Sequence, residues 1–145
     1  MEFAKEVFNV LYVDDEENNL NSFRAALRRN YNIYTARSGE EGMIVLTKND
    51  IHVIVTDQRM PGMTGVEFLD QAKEIYPKAK KVLLTAYADT DAAIRAINQV
   101  RLDHYLMKPW DPPEEHLYPI LNDLLFDWQS SYKPLFEGMR IVGYR

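Results

Sequence analysis

The sequence predicts an α/β fold, a five-stranded parallel sheet with helices on both faces, and three observations carry that reading. Short apolar runs alternate along the chain with longer stretches of helical period, the pattern that generates strand-helix-strand units. The runs at 10–13, 53–55 and 82–84 are continuously apolar, as strands buried on both faces must be. Those at 31–35 and 103–107 mix in polar groups and suit the edges of the sheet. The length of 145 residues matches one domain on the prior of roughly 150 residues each.

Each element has its own signal. The first strand is read at 8–13, and Leu20, Phe23 and Leu27 then recur at helical spacing until Asn30, which suits a left-handed stop. A second strand at 31–35 precedes Ser38 and Glu41, a capping-box pair that opens a helix through Met43, Val45 and Leu46. The third strand spans 51–56. Thr64 and Glu67 form another capping box, ahead of a helix with Phe68, Leu69, Ala72 and Ile75 on one face. Tyr76-Pro77 closes it, because a residue before proline is pushed out of the helical region. A fourth strand at 81–85 leads to a helix capped by Asp89 or Asp91, with Ile94, Ile97 and Val100 on one face, and a fifth strand lies at 104–107.

Asp111 then caps a last helix with Pro112 at its first position and an apolar face through Leu117, Ile120, Leu121, Leu124, Leu125 and Trp128. Pro119 inside this stretch predicts either a kink or a short turn before a helix that starts near Leu117. With strands one, three and four central and two and five at the edges, the expected architecture is a doubly wound (βα)5 parallel sheet of order 2-1-3-4-5, similar to flavodoxin-like sheets. Pro134, Gly138 and Gly143 punctuate the tail, which has no place in a five-unit sheet. The expected division is a domain over 1–131 and a linker, 132–145, leading into a further C-terminal module.

Composition narrows the function classes. At 46% hydrophobic and 27% charged residues the chain resembles ordinary globular proteins. A net charge of -5 argues against a nucleic-acid-binding surface in this segment. Zero cysteines exclude disulfides, thiolate nucleophiles and Cys-ligated metals, so any chemistry uses oxygen and nitrogen groups. No apolar run approaches the ~20 residues of a membrane span, and 1–5 lacks the start of a signal peptide, so the expected location is the cytoplasm.

In open α/β sheets the functional crevice lies beyond the carboxyl ends of the strands. Asp14 and Asp15 follow the first strand, Asp57 the third, Thr85 ends the fourth, and Lys108 follows the fifth. Carboxylates gathered this way repel by on the order of 4 kcal/mol per pair at 4 Å and an effective dielectric of ~20, so the cluster calls for a cation. Magnesium is the natural candidate, being a hard ion that accepts carboxylates and is often completed by phosphate oxygens. An ammonium and a hydroxyl opposite it suit a phosphoryl group, with one carboxylate as nucleophile.

These residues stand in motifs that resemble the receiver domain of two-component response regulators: Leu11-Tyr12-Val13-Asp14-Asp15-Glu16; Asp57 with Met60-Pro61-Gly62-Met63-Thr64-Gly65; Leu84-Thr85-Ala86; and Tyr105-Leu106-Met107-Lys108-Pro109. The resemblance covers 8–128. It implies that Asp57 accepts a phosphoryl group from the phosphohistidine of a sensor histidine kinase or phosphotransfer protein. Asp14 and Asp15 would hold Mg²⁺ together with Asp57 and the main-chain carbonyl of Arg59. Thr85 would follow the phosphoryl group, Lys108 would pair with it, Tyr105 would change rotamer between states, and the Lys108-Pro109 bond would be cis. The domain would be regulatory, with self-phosphorylation and self-dephosphorylation chemistry only. Arg59 and Tyr87, both bulky, occupy positions that flank the path of the attacking water in this family, which implies a lengthened phosphoryl lifetime.

The segments 83–94 and 108–115, with Phe136-Glu137-Gly138, are similar to receivers fused ahead of a flavin-dependent, thioredoxin-reductase-like module. No G-x-G-x-x-G follows a strand, so the output partner would be a flavin disulfide reductase-like module beyond the residues read here. Other readings of the same residues stay open. Asp14-Asp15-Glu16 alone is an ordinary helix cap with first-turn acids, Thr85 a strand-end residue, Lys108 a solvated charge and Tyr105 packing. His52, His104 and His116 lack metal spacing. The alternative function is a phosphorylation-independent docking or dimerisation module with this fold; a homodimer through the fourth and last helices would use Trp110 and Trp128 if they are exposed. A magnesium-aspartate phosphatase is the weaker enzyme alternative, because no second acid-base residue and no capping insertion accompany Asp57.

Overall fold

The computed structural model describes residues 8–86, 90–110 and 112–130. Five parallel strands, β1 (Asn9–Val13), β2 (Asn32–Ala36), β3 (Val53–Asp57), β4 (Lys80–Thr85) and β5 (His104–Met107), form one sheet of order β2-β1-β3-β4-β5. The helices are α1 (Glu17–Leu27), α2 (Gly39–Lys48), α3 (Gly65–Ile75), α4 (Thr90–Gln99), α5 (Pro113–His116) and α6 (Tyr118–Ser130). The expected class, strand order and edge positions are therefore those observed. Asp89, Asp111, Tyr87 and the tail lie outside the described residues.

Strand alternation sends side chains to two cores. Val10, Tyr12, Val53, Val55, Val82 and Leu84 face Phe23 of α1 and Leu117, Leu121 and Leu125 at the chain's C-terminal side. Leu11, Val13, Ile54 and Leu83 face Leu46 of α2, Phe68 and Leu69 of α3 and Ala96 of α4. Both faces of the central strands are fully covered, which is why their sequences read as unbroken apolar runs.

Local chemistry sets the helix ends. The Thr64–Glu67 capping box forms completely, the Glu67 N–H donating to Thr64 Oγ1 at 3.2 Å and the Thr64 N–H to Glu67 Oε1 at 2.9 Å. Only half of the Ser38 box forms: Ser38 Oγ accepts from the Glu41 N–H at 3.1 Å, while the Glu41 carboxylate takes the Arg37 N–H instead of that of Ser38. Of the two outcomes left open for Pro119, the short turn is the one found. The four-residue α5 closes at Leu117, and α6 places Pro119 at its second position, where a missing N–H costs nothing. Pro112 is the N-cap of α5, so Pro113 takes the first helical position.

Three expectations are corrected. Asn30 is not left-handed; its N–H and that of Tyr31 both bond to the Leu27 carbonyl, at 3.0 and 3.1 Å, and this turn ends α1. Among the described residues the non-glycine with positive φ is Arg101, at 57°. Among the described side chains of this region, Ala96 of α4 and Val100 just beyond its end are buried, whereas Ile94 is 53% and Ile97 44% exposed, so the helix meets the sheet through the small Ala96 and turns the isoleucines outward. Trp110 is buried at 8% exposure against Phe23, and Trp128 packs edge-on against His52 and Phe8, so neither offers the free apolar surface expected of a dimer contact.

Candidate phosphoryl-acceptor and cation site

The carboxyl ends of β1, β3, β4 and β5 bring the predicted residues to one edge of the sheet. Single carboxylate oxygens of Asp14, Asp15 and Asp57 lie within 4.8 Å of one another. Asp14 and Asp57 are buried, Asp15 half-buried. Lys108 Nζ reaches Asp57 Oδ1 at 2.9 Å, and the Lys108 N–H donates to the Thr85 carbonyl at 2.9 Å, which ties the start of the Lys108 segment to the end of β4. The Lys108–Pro109 bond is cis.

The backbone beneath Asp57 is tightly held. The Gln58 N–H donates to the Leu84 carbonyl at 3.1 Å, the Gly65 N–H to the Gln58 carbonyl at 3.0 Å, and the Val66 N–H to Gln58 Oε1 at 3.0 Å. A Cβ on Gly65 would collide with the Asp57 carbonyl oxygen and approach Gln58 Cα, so only glycine lets the first residue of α3 pass this close to Asp57. Thr56 Oγ1 donates to the same Asp57 carbonyl at 3.0 Å.

Asp14 is held by three donors. Tyr12 Oη donates to Oδ2 at 2.7 Å, Asn19 Nδ2 to Oδ2 at 3.1 Å, and the Glu16 N–H to Oδ1 at 3.0 Å. The helix-cap reading of these acids does not hold: Glu16 is the N-cap of α1 and makes no side-chain cap. Tyr12 and Asn19 were not singled out from sequence, although Tyr12 stands two residues from Asp14 and period-two alternation puts both on one face.

The electrostatics of the cluster are those of crowded, partly buried carboxylates. Burial pushes the Asp57 carboxyl above its ordinary value; the hydrogen bond and charge of Lys108 pull it back, and the charge of Asp14 pushes it further up. For Lys108, burial works downward, but the hydrogen bond and charge of Asp57 outweigh it and leave the ammonium more firmly protonated than usual. Burial, then Asp14, drives the Tyr12 phenol far above its ordinary range, so it stays a donor. Three oxygen donors within a few ångströms, with no thiolate or imidazole among them, fit a hard divalent ion.

The two residues expected to switch have their own surroundings. Thr85 is fully buried and its hydroxyl donates to Met107 Sδ at 3.4 Å. Tyr105 is 40% exposed on β5 and, with Ile97, Leu102, Leu106 and His116, lines a groove of about 800 Å³. Arg59 lines a shallow depression with Gln58, Met60, Pro61 and Thr64.

A family model, the response regulator receiver domain, matches residues 10–117. The hydrogenase transcriptional regulatory protein HoxA of Cupriavidus necator is 36% identical over 108 residues, 74% of this chain and 22% of that protein. The DNA-binding transcriptional regulator NtrC of Klebsiella pneumoniae is 41% identical over 80 residues, 55% of this chain and 17% of that protein. The chain thus spans about a fifth of the length of these curated relatives. Among solved structures, the signal receiver domain of an HD domain-containing protein from Pseudomonas fluorescens Pf-5 aligns with a TM-score of 0.81 at 26% identity, covering 86% of this chain and 99% of that one. A response regulator receiver domain protein from Clostridium thermocellum aligns at 0.79 and 29% identity, covering 85% and 98%. No described helix is long and apolar enough to cross a membrane.

Proposed function

The chain belongs to the response regulator receiver domain family, and from that premise we propose that it is a phosphoacceptor switch in which Asp57 takes a phosphoryl group from the phosphohistidine of a sensor kinase or phosphotransfer protein. The observation that carries this is Asp57 held at 2.9 Å by Lys108, with Asp14 and Asp15 within 4.8 Å. Asp14, Asp15, Asp57 and the main-chain carbonyl of Arg59 would hold Mg²⁺. When bound, the ion supplies positive charge against the phosphoryl oxygens and against the crowded carboxylates.

The protein's own part is to aim and to neutralise. Lys108 orients Asp57 and favours its charged form against the upward push of burial, and the Asp57 main chain is pinned between β4 and the first turn of α3, which would aim the carboxylate at phosphorus in line. As the P–N bond to the donor imidazole breaks and the P–O bond to Asp57 forms, Lys108 stays beside the transferred oxygens as a fixed cation. Little proton transfer is required of the site. The Thr85 hydroxyl, bonded only weakly to the Met107 sulfur, is positioned to leave it for a phosphoryl oxygen, and Tyr105 then turns from its exposed position into the space vacated. The readout is the surface formed by α4, β5 and the last helices, with its outward isoleucines and apolar groove. Residues 132–145 would link the domain (1–131), expected in the cytoplasm, to an output module, for which the likeness of 83–94, 108–115 and 136–138 to receivers fused to a flavin disulfide reductase-like module is the support.

The test is intact-protein mass after incubation with Mg²⁺ and acetyl phosphate, beside Asp57→Asn. One added phosphoryl group that requires Mg²⁺ and disappears in the variant is the expected result. No gain with several donors would turn the reading to a phosphorylation-independent docking module, and a gain that survives in Asp57→Asn would mean another nucleophile.

A further inference from the structure

Tyr12 and Asp14 leave the first strand on the same side, and both are fully buried. Among the described residues the Asp14 oxygens are unequally occupied: Oδ2 accepts from Tyr12 Oη at 2.7 Å and Asn19 Nδ2 at 3.1 Å, Oδ1 from the Glu16 N–H alone at 3.0 Å. A carboxylate oxygen offers about two lone-pair directions, so Oδ2 is filled and Oδ1 keeps one. The phenol cannot readily swing aside, because its ring lies flat on Phe23, with centroids 4.0 Å apart and planes 9° from parallel, and Phe23 is wedged in turn against Trp110. Rotation of the carboxylate would break three hydrogen bonds at once.

We propose that Tyr12, seconded by Asn19, is a specificity-determining positioning residue that limits Asp14 to a single contact through Oδ1, with the cation or one of its waters, and thereby favours Mg²⁺ over Ca²⁺. This rests on the cation reading of the site given above. Mg²⁺ takes one oxygen per carboxylate in a tight octahedron and keeps much of its water. Ca²⁺ takes more oxygens at longer range and gains from carboxylates that turn to bind through both. A carboxylate with one oxygen already filled and its plane locked denies Ca²⁺ that gain and takes nothing from Mg²⁺.

Calorimetric titration of Mg²⁺ and of Ca²⁺ into the metal-free chain, Tyr12→Phe and Asn19→Ala tests this. Tyr12→Phe keeps the ring and its Phe23 stack and removes only the hydroxyl. The ratio of the Ca²⁺ Kd to the Mg²⁺ Kd is expected to fall by about three- to tenfold, the scale of one charge-assisted hydrogen bond. Asn19→Ala, at a half-buried position that the fold tolerates, should move the ratio the same way by less. A merely structural role for Tyr12 would weaken both ions in parallel; an unchanged ratio in the two variants overturns the proposal while leaving the cation site intact. A wild-type chain that binds neither ion overturns the cation reading and this proposal with it.

Discussion

Replacing Asp57 by asparagine should stabilise the metal-free protein at neutral pH, because the Asp57 carboxylate is held against its own electrostatics. Each of its two carboxylate neighbours, within 4.8 Å, repels it by about 3 kcal/mol or more at an effective dielectric of ~20. The attraction to Lys108 at 2.9 Å returns about 6 kcal/mol on the same scale, but screening reduces this since the ammonium is 32% exposed. Burial of the charge is then uncompensated, in keeping with the upward shift of its pKa. Asparagine removes both repulsions and keeps an oxygen for Lys108. The expected gain is about 1–2 kcal/mol, or roughly 3–8 °C in Tm. The pH dependence has a definite sign. A carboxyl whose folded pKa lies above its ordinary 3.8 contributes stability that is complete below that value and is lost as pH rises through the folded pKa. The advantage of the variant therefore opens with rising pH and closes on acidification. Thermal melts with EDTA at pH 7 and near pH 4 check both. A variant less stable than wild type at pH 7, or a gap that widens in acid, would refute the reasoning. Saturating Mg²⁺ should reverse the order, since a ligand present at 100 Kd stabilises the form that binds it by about 2.7 kcal/mol.

Gly65→Ala should cost about 2–4 kcal/mol in urea denaturation and slow the proposed phosphoryl incorporation, since its Cβ collides with the Asp57 main chain, which cannot yield without moving the Asp57 carboxylate. Lys108→Ala should lower the rate of incorporation from acetyl phosphate about 10²-fold while circular dichroism stays native; a rate within twofold of wild type would remove Lys108 from the site. Arg101→Gly relieves a left-handed non-glycine at φ 57° and should stabilise the domain by about 1 kcal/mol, read as a raised urea midpoint. Thr64→Ala removes half of the complete capping box and should cost about 1 kcal/mol, whereas Ser38→Gly, at a cap with no reciprocal bond, should cost only a few tenths.

The periodic signals were legible because burial writes them into the chain. Continuous apolar runs marked β1, β3 and β4 as central, and polar interruptions marked β2 and β5 as edges, because a strand covered on both faces has no position where a polar side chain reaches water. The three acids, Thr85 and Lys108 were found for the same reason, as polar residues placed where those runs end. Other features depended on partners far apart in sequence. The outward turn of Ile94 and Ile97 follows from how closely Ala96 lets α4 approach the sheet, and helical spacing gives a stripe without saying which side meets the core. Trp110 is buried because Phe23, 87 positions earlier, lies across its ring. Glu41 chose the Arg37 N–H over that of Ser38, a choice among groups of equal chemistry settled by loop geometry. The sequence by itself determined the alternation of strands and helices, which strands are central and which lie at the edges, and the residues gathered at the carboxyl edge of the sheet, all of which follow from local period and solvent. The order β2-β1-β3-β4-β5 was only compatible with that pattern until the pairing of the strands fixed it. Only the tertiary structure decided that Lys108 pairs with Asp57, that Tyr12 and Asn19 fill one oxygen of Asp14, and that Thr85 rests on Met107, because hydrogen bonds and charge pairs are made by distances that no spacing along the chain encodes.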